Sequence, residues 1–217
     1  MIKLVFLFVL SVLLQGASSI QSMQVDTDTG RLVVRTHDGT VKEFNSGGQY
    51  AQVRWDDLTQ QDRENGGAGW VSHTHSMFQS NKTYSGIAVV ETSNSPQLTV
   101  KNLKPGKYEV WAGGEFTISN TNASNTGYCR YGIWDGTTRS EVGISFTARK
   151  TADHTNPAET RSGGPGILLG EFEYFTLQTS ITFEIQTIGN VSGVSCAIGA
   201  HGNNATQLQI TLIPVRG

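Results

Sequence analysis

Gln97-Leu-Thr-Val-Lys-Asn-Leu-Lys-Pro-Gly-Lys-Tyr-Glu-Val-Trp-Ala-Gly-Gly-Glu-Phe-Thr-Ile-Ser119 is the stretch that decides the fold. Polar and apolar residues alternate on both sides of Pro105-Gly106, a pair that reverses the backbone by fixing one φ and freeing the next. Period-two alternation belongs to a half-buried strand, and no helix-period run of any length interrupts it. The same grammar extends outward from about Tyr84 to Gly217. Strands are predicted at Ile87–Glu91, Gln97–Val100, Lys107–Trp111, Phe116–Ser119, Tyr128–Trp134, Arg139–Phe146, Ile167–Phe175, Ile181–Gln186, Ser195–Gly199 and Gln207–Val215. Asp135-Gly136, Gly163-Gly164-Pro165-Gly166 and Gly202-Asn203-Asn204 read as the turns between them. Short strands at such regular spacing predict an all-β antiparallel sandwich or barrel.

Alternation assigns the inward face to Ile87, Val89, Leu98, Val100, Tyr108, Val110, Ile133, Val142, Ile144, Phe146, Leu168, Phe172, Phe183, Ile185, Ile198, Leu208, Ile210 and Leu212. The 217 residues suffice for one such sandwich and a small extra module. Charged residues make up 16% of the chain and the net charge is −2, so neither a nucleic-acid footprint nor a basic stripe for an anionic membrane is present. The 25 glycines, with many Ser, Thr and Asn, are a turn-and-strand composition common in extracellular and virion proteins. Cys129 and Cys196 both fall in strand-like runs. They read either as two buried thiols or as one disulfide between neighbouring strands.

The amino terminus carries its own signal. Met1-Ile-Lys3 precedes the apolar run Leu4–Leu14, and small residues follow at Ala17 and Ser19. This matches a secretory signal peptide, and the run is short of the ~20 residues of a membrane span. The other reading is a retained apolar anchor. Four Asn-x-Ser/Thr sequons, at Asn81, Asn122, Asn190 and Asn204, mark surface loops more safely than glycans.

Four segments result: 1–19 as signal peptide or anchor, 20–46 as a small β-meander, 47–76 as a connector, and 77–217 as the sandwich. In the meander, Asp38-Gly39 favours a tight hairpin. Asp26-x-Asp28-x-Gly30 has the start of a calcium-loop spacing but none of the downstream ligands, so it reads as turn chemistry. In the connector, Asp56–Glu64 reads as one short helix capped by Asp56, with Trp55 and Trp70 as packing anchors on either side.

Pro-Gly-Lys-Tyr-Glu-Val-Trp within Leu98–Ser119 is similar to the first long hairpin of trimeric jelly-roll heads. Tyr131-Gly-Ile-Trp-Asp-Gly-Thr-Thr, Gly170–Gln186 and Gln207–Val215 resemble the later strands of such heads. These heads occur on bacteriophage tail fibres, head fibres and spikes, and share architecture with complement-type and tumour-necrosis-factor-like domains. The meander resembles the shaft or adaptor modules of phage fibres. The resemblance covers roughly Met23 to Gly217 and rests on pattern. It implies a jelly-roll sandwich, a homotrimer around one axis, other virion proteins met through the N-terminal part, and loops that meet a host-surface glycan or protein. The loop candidates are Asn120–Gly127, with Asn120, Asn122 and Asn125, and Ala148–Gly166, with Arg149, His154 and Arg161. Long polar loops on a rigid sheet are common carriers of binding.

Catalytic signatures are missing from the sequence: there is no Gly-x-Ser-x-Gly elbow, no His-Glu-x-x-His and no phosphate-cradling glycine loop opening a helix. No enzyme activity and no cofactor are therefore expected. His73 and His75, on one face of a strand, would give six imidazoles in a trimer, enough for an octahedral metal site, but surface or backbone-satisfied histidines are the better account of a lone pair, and no metal is expected. The expected function is that of a virion surface fibre or spike for host attachment. The alternatives are a secreted carbohydrate-binding sandwich and a capsid decoration or assembly protein. No nucleic acid is expected as partner, and membrane only through residues 1–19.

Overall fold

The computed structural model describes residues 20–26, 31–36, 41–45, 50–58, 61–65, 69–76, 81–121, 126–140, 145–149, 160–199 and 206–215. These form strands, with turns and irregular segments between them. Strands β1 (Ile20–Asp26), β2 (Arg31–Thr36) and β3 (Val41–Asn45) make a separate antiparallel sheet in the order β1-β2-β3, where the meander was expected. Fourteen further strands follow. They are β4 (Ala51–Leu58), β5 (Gln61–Asn65), β6 (Val71–Ser72), β7 (Asn81–Ser85), β8 (Val89–Glu91), β9 (Gln97–Leu103), β10 (Gly106–Asn120), β11 (Thr126–Trp134), β12 (Arg139–Ser140), β13 (Ser145–Arg149), β14 (Thr160–Tyr174), β15 (Gln178–Gly189), β16 (Val194–Gly199) and β17 (Thr206–Val215).

Together they form an antiparallel jelly-roll sandwich of two curled sheets. One sheet runs β5-β16-β10-β17-β4-β7, with β14 on the other edge of β10. The second runs β12-β11-β15-β9-β8, with β13 also on β11 and β6 also on β15. Leu98, Val100, Val110, Phe116, Ile118, Tyr131, Phe183, Ile185, Ile198, Leu208 and Leu212 fill the space between them, all fully buried. Burying each large apolar side chain contributes roughly 1.5–3 kcal/mol, which is why alternation fixes the register. Val89 is the exception, 56% exposed on the short outer strand β8. Val142 and Ile144 lie outside the described residues, as does the side chain of Phe146.

Two expectations are corrected. Asp56–Glu64 is no helix. Ala51, Val53 and Trp55 alternate into the core along β4, which pairs with β17 and β7, while β5 pairs with β16. The sandwich therefore begins at residue 51, inside the stretch expected to be a connector. Asp56 forms ion pairs with Arg54 (2.9 Å) and Lys82 (3.0 Å) in place of a cap. Trp55 is fully buried and donates from Nε1 to the Ser93 carbonyl (3.0 Å).

Gly163–Gly166 is also no turn, because it lies inside β14 and pairs with Gly114–Thr117. At Gly163 (φ 148°) a Cβ would sit 2.2 Å from the Phe116 carbonyl oxygen, so the two backbones approach as only glycine allows. Strand glycines cost roughly 0.5–1 kcal/mol each. The buried Leu168 nearby and the fifteen-residue pairing with β10 outweigh that. Pro165 is tolerated because β14 has no described partner on its outer side.

Cys129 of β11 and Cys196 of β16 form a disulfide, with Cα atoms 5.8 Å apart. The bond joins the two sheets through the core. Beside it Tyr131, fully buried in the second sheet, donates its hydroxyl to the Thr117 carbonyl (2.6 Å) and accepts from Ala197 N–H (3.1 Å) in the first. Among the described residues no helix is long and apolar enough to cross a membrane.

Two predictions follow from this packing. Replacing Cys129 and Cys196 together by alanine frees a cross-link spanning 67 residues of sequence. It should cost about 2–4 kcal/mol, read as a lowered denaturant midpoint, with the m-value rising because the unfolded chain is freed to expand. Glu109 is buried, and burial pushes its carboxyl pKa up. Glu171 opposite it adds to the shift, while the hydrogen bond from Trp111 Nε1 (3.1 Å) works against it. A raised folded pKa means that ionisation opposes folding, so this group's contribution improves as pH falls through that pKa. Glu109→Gln keeps the acceptor for Trp111 and removes the charge. It should raise the melting temperature at pH 7 by a few degrees, and the gain should vanish below the ordinary carboxylate range.

Candidate functional site

The described strand ends that flank the two expected binding segments lie at one end of the sandwich. Asn120, the last residue of β10, pairs with Thr160 at the start of β14 and with Val194 at the start of β16. Ser119 pairs with Arg161, and Thr126 at the start of β11 pairs with Arg149 at the end of β13. Residues 121, 126, 149 and 160 thus border one rim, closed on one side by the turn at 190–193. Asn190 ties that turn down: its Oδ1 accepts from Tyr128 N–H (2.8 Å) and its Nδ2 donates to the Thr126 carbonyl (3.1 Å).

Of the expected contacts, Asn120 is corrected. Its side chain is fully buried beneath Gly127, where an added Cβ would stand 3.1 Å from Asn120 Nδ2. It supports the rim and offers no surface to a ligand. Arg149 and Arg161 stand on the strands that frame the rim, and Asn122, Asn125 and His154 lie outside the described residues.

A second surface was not singled out from the sequence. Strand β11 ends at Trp134, opposite Glu184, so residues 178–183 of β15 pair with β9 on one side and with no described strand on the other. A cleft of about 260 Å³ opens there, lined by Trp134, Asp135, Thr137, Gln178, Thr182 and Glu184 among others. Asp135 builds its rim: Oδ1 accepts from Thr137 N–H (2.8 Å) and Thr138 N–H (2.6 Å), and Oδ2 accepts from Tyr174 Oη (2.9 Å). Burial and this carboxylate both raise the Tyr174 pKa. Arg139 lies over the rings of Trp70 (4.6 Å) and Trp134 (5.1 Å) and donates to Gln186 Oε1 (2.8 Å). The one sequence cue was the Trp134-Asp135-Gly136 corner. A local turn at 135–138 into β12 ends β11 at that corner, whereas the open side of β15 beneath it is set by distant strands.

The third arrangement concerns the His73/His75 pair. The two rings do not share an exposed face: strand β6 ends at Ser72, His73 is fully buried, and the His75 side chain is 55% exposed. A buried His73 cannot reach a symmetry axis, so the six-imidazole arrangement is excluded. Both rings instead face Asp62, whose side chain is fully buried. His75 Nδ1 lies 2.7 Å from Asp62 Oδ1 and 3.0 Å from Glu64 Oε1. His73 Nδ1 lies 3.7 Å from Asp62 Oδ2, close enough to attract and too far for a hydrogen bond. Burial acts to raise the Asp62 pKa, but His73 and His75 outweigh it and hold the carboxyl below its ordinary value. Asp62, with Glu64, raises the pKa of His75.

No protein-family model matches the chain, and no curated protein is similar to it in sequence. Among solved structures the chain is similar to the PRD1 vertex protein P5, at 8% identity and a TM-score of 0.39, over 78% of this chain and 98% of that one. It is similar to Eiger TNF from S. frugiperda at 8% identity and a TM-score of 0.38, over 77% and 92% of the two chains. Murine APRIL matches at 10% identity and a TM-score of 0.35, over 75% and 98%. Superpositions this loose say nothing about what the chain binds.

The Asp135 cap makes a checkable demand. Asp135→Ala removes the acceptor for two backbone N–H groups and for the Tyr174 hydroxyl, and should cost about 1–3 kcal/mol in urea denaturation. Tyr174→Phe removes only one of these bonds and should cost less.

Proposed function

We propose that this chain is a virion surface protein, a fibre or spike, that attaches to the host cell through the rim end of a trimeric sandwich. The observation that carries the reading is that the strand ends flanking the two polar segments, at residues 121, 126, 149 and 160, lie at one end of a rigid body. In one sheet β10 is hydrogen-bonded there to β14 and β16, in the other β11 is bonded to β13, and the inter-sheet disulfide joins β11 to β16. A rigid frame lets loops bind without a large ordering cost. Threefold repetition would turn weak single contacts into firm attachment. The disulfide fits an oxidising, extracellular setting such as a virion surface. The reading requires no catalytic step and no cofactor.

A secreted carbohydrate-binding sandwich is the second reading, favoured by the cleft beside Trp134, where an aromatic wall stands next to carboxylate and hydroxyl groups. Native mass spectrometry separates the two, since attachment by a spike expects a stable trimer and a lectin module a monomer. The mature chain is then tested for adhesion to a panel of bacterial cells, beside the Arg149→Ala/Arg161→Ala double variant. The variant should stay folded and trimeric while adhesion falls about tenfold or more. A monomer that adheres to no cell, or adhesion untouched by the double variant, would overturn the spike reading. A monomer whose sugar binding is lost in Trp134→Ala would establish the second.

A further inference from the structure

We propose that Asp62, Glu64 and His75 form a binding site for one divalent transition-metal ion of the zinc class in each chain, at the edge where the two sheets meet. The three ligand atoms lie within 4.8 Å of one another. Asp62 and Glu64 project from the same face of β5, two residues apart, because side chains alternate along a strand. His75 arrives from the segment that follows β6, which is paired to β15 of the opposite sheet. The site therefore joins both layers.

Three features suit a cation at this position. The first is donor arithmetic. One imidazole Nδ1 carries at most one hydrogen, yet two carboxylate oxygens converge on it, at 2.7 and 3.0 Å. Two carboxylates against one imidazolium leave net negative charge around a fully buried Asp62. The second feature lies behind the cluster. His73 is fully buried, and neither of its ring nitrogens has a hydrogen-bond partner. Its Nδ1 faces Asp62 Oδ2, which is buried and equally without one. Orphaned polar atoms of this kind are rare in folded proteins and need a physical reason.

The third feature is spacing. Ligands bound at 2.0–2.2 Å in a tetrahedral site stand roughly 3.3–3.5 Å apart. Separating the present contacts by about half an ångström makes room for an ion. The ion would then take Asp62 Oδ1, Glu64 Oε1 and His75 Nδ1. Asp62 would turn its second oxygen to His73 Nδ1, an arrangement that commonly steadies metal-bound carboxylates. The fourth position would face solvent beside the half-exposed His75. A nitrogen donor with two carboxylates suits zinc-class ions better than calcium or magnesium, which take oxygen ligands.

The test uses the full mature chain, dialysed against a chelator and then titrated with zinc chloride by isothermal calorimetry. His75→Ala and Glu64→Gln are measured in parallel. Both side chains reach solvent, so their loss should leave the sandwich folded, checked by circular dichroism and melting in chelator. The expected result is one zinc per chain and a higher melting temperature with zinc. Affinity should fall about tenfold or more in each variant. Cobalt substituted for zinc should give the intense visible bands of a four-coordinate site, absent in His75→Ala. The assignment fails if the unaltered chain binds no zinc, if binding is the same in both variants, or if one ion is found per three chains. None of these outcomes depends on what the rim binds, so the metal site stands or falls apart from host attachment.

Discussion

Everything in the sandwich is arranged around the double pairing of β10. Along its full fifteen residues one edge is bonded to β14. The other edge is shared, with β17 on Lys107–Gly113 and β16 on Phe116–Asn120. Gly114 stands where the two partners part, and a Cβ there would meet the Leu208 side chain at 2.7 Å. A strand saturated on both edges cannot slip without breaking its ladder, and a one-residue slip would turn Val110, Phe116 and Ile118 out of the core. The positions of β4 and β5, which reach β10 through β17 and β16, derive from this one strand.

Cross-links between the sheets are placed where apolar packing alone would leave polar atoms stranded. The disulfide and the Tyr131 hydroxyl tie β11 to β10 and β16. Along β5, next to β16, the tie becomes ionic, with Asp62 of one sheet facing His73 and His75 held by the other. Cys196 pairs in register with Glu64, so the covalent and ionic ties sit on adjacent strands. A buried carboxylate is tolerated only with such partners, since desolvation without them costs several kcal/mol.

The same frame stiffens the end of the sandwich where the two polar segments begin and end. The rim borders are backbone-bonded strand ends, the Asn190 amide holds that end together, and Asn120 is buried beneath it. At the far end the Asp135 corner and the stacked Arg139 make a second ordered surface of different chemistry.

Period-two alternation made most of the strands from β9 to β17 legible in the sequence, because burial of alternate side chains is a local pattern. It failed in two places, each for a nonlocal reason. Asp56–Glu64 carries helix-compatible polar residues, but the open edges of β16 and β17 claim its backbone. Gly163–Gly166 looks like a turn, yet the close approach of Phe116 and Thr117 requires glycine inside a strand. The candidate sites were less legible still. The sequence marked His73 and His75 as a pair and left Asp62 and Glu64 in a supposed helix. Only strand pairing carried those carboxylates across to the imidazoles, thirteen residues away in the case of Asp62 and His75. Sequence alone thus determined that the chain pleats into sheets, since that follows from each residue and its second neighbour. Which strands lie side by side, and which polar groups are thereby buried together, was decided by tertiary structure, because long-range backbone hydrogen bonds leave no periodic trace along the chain.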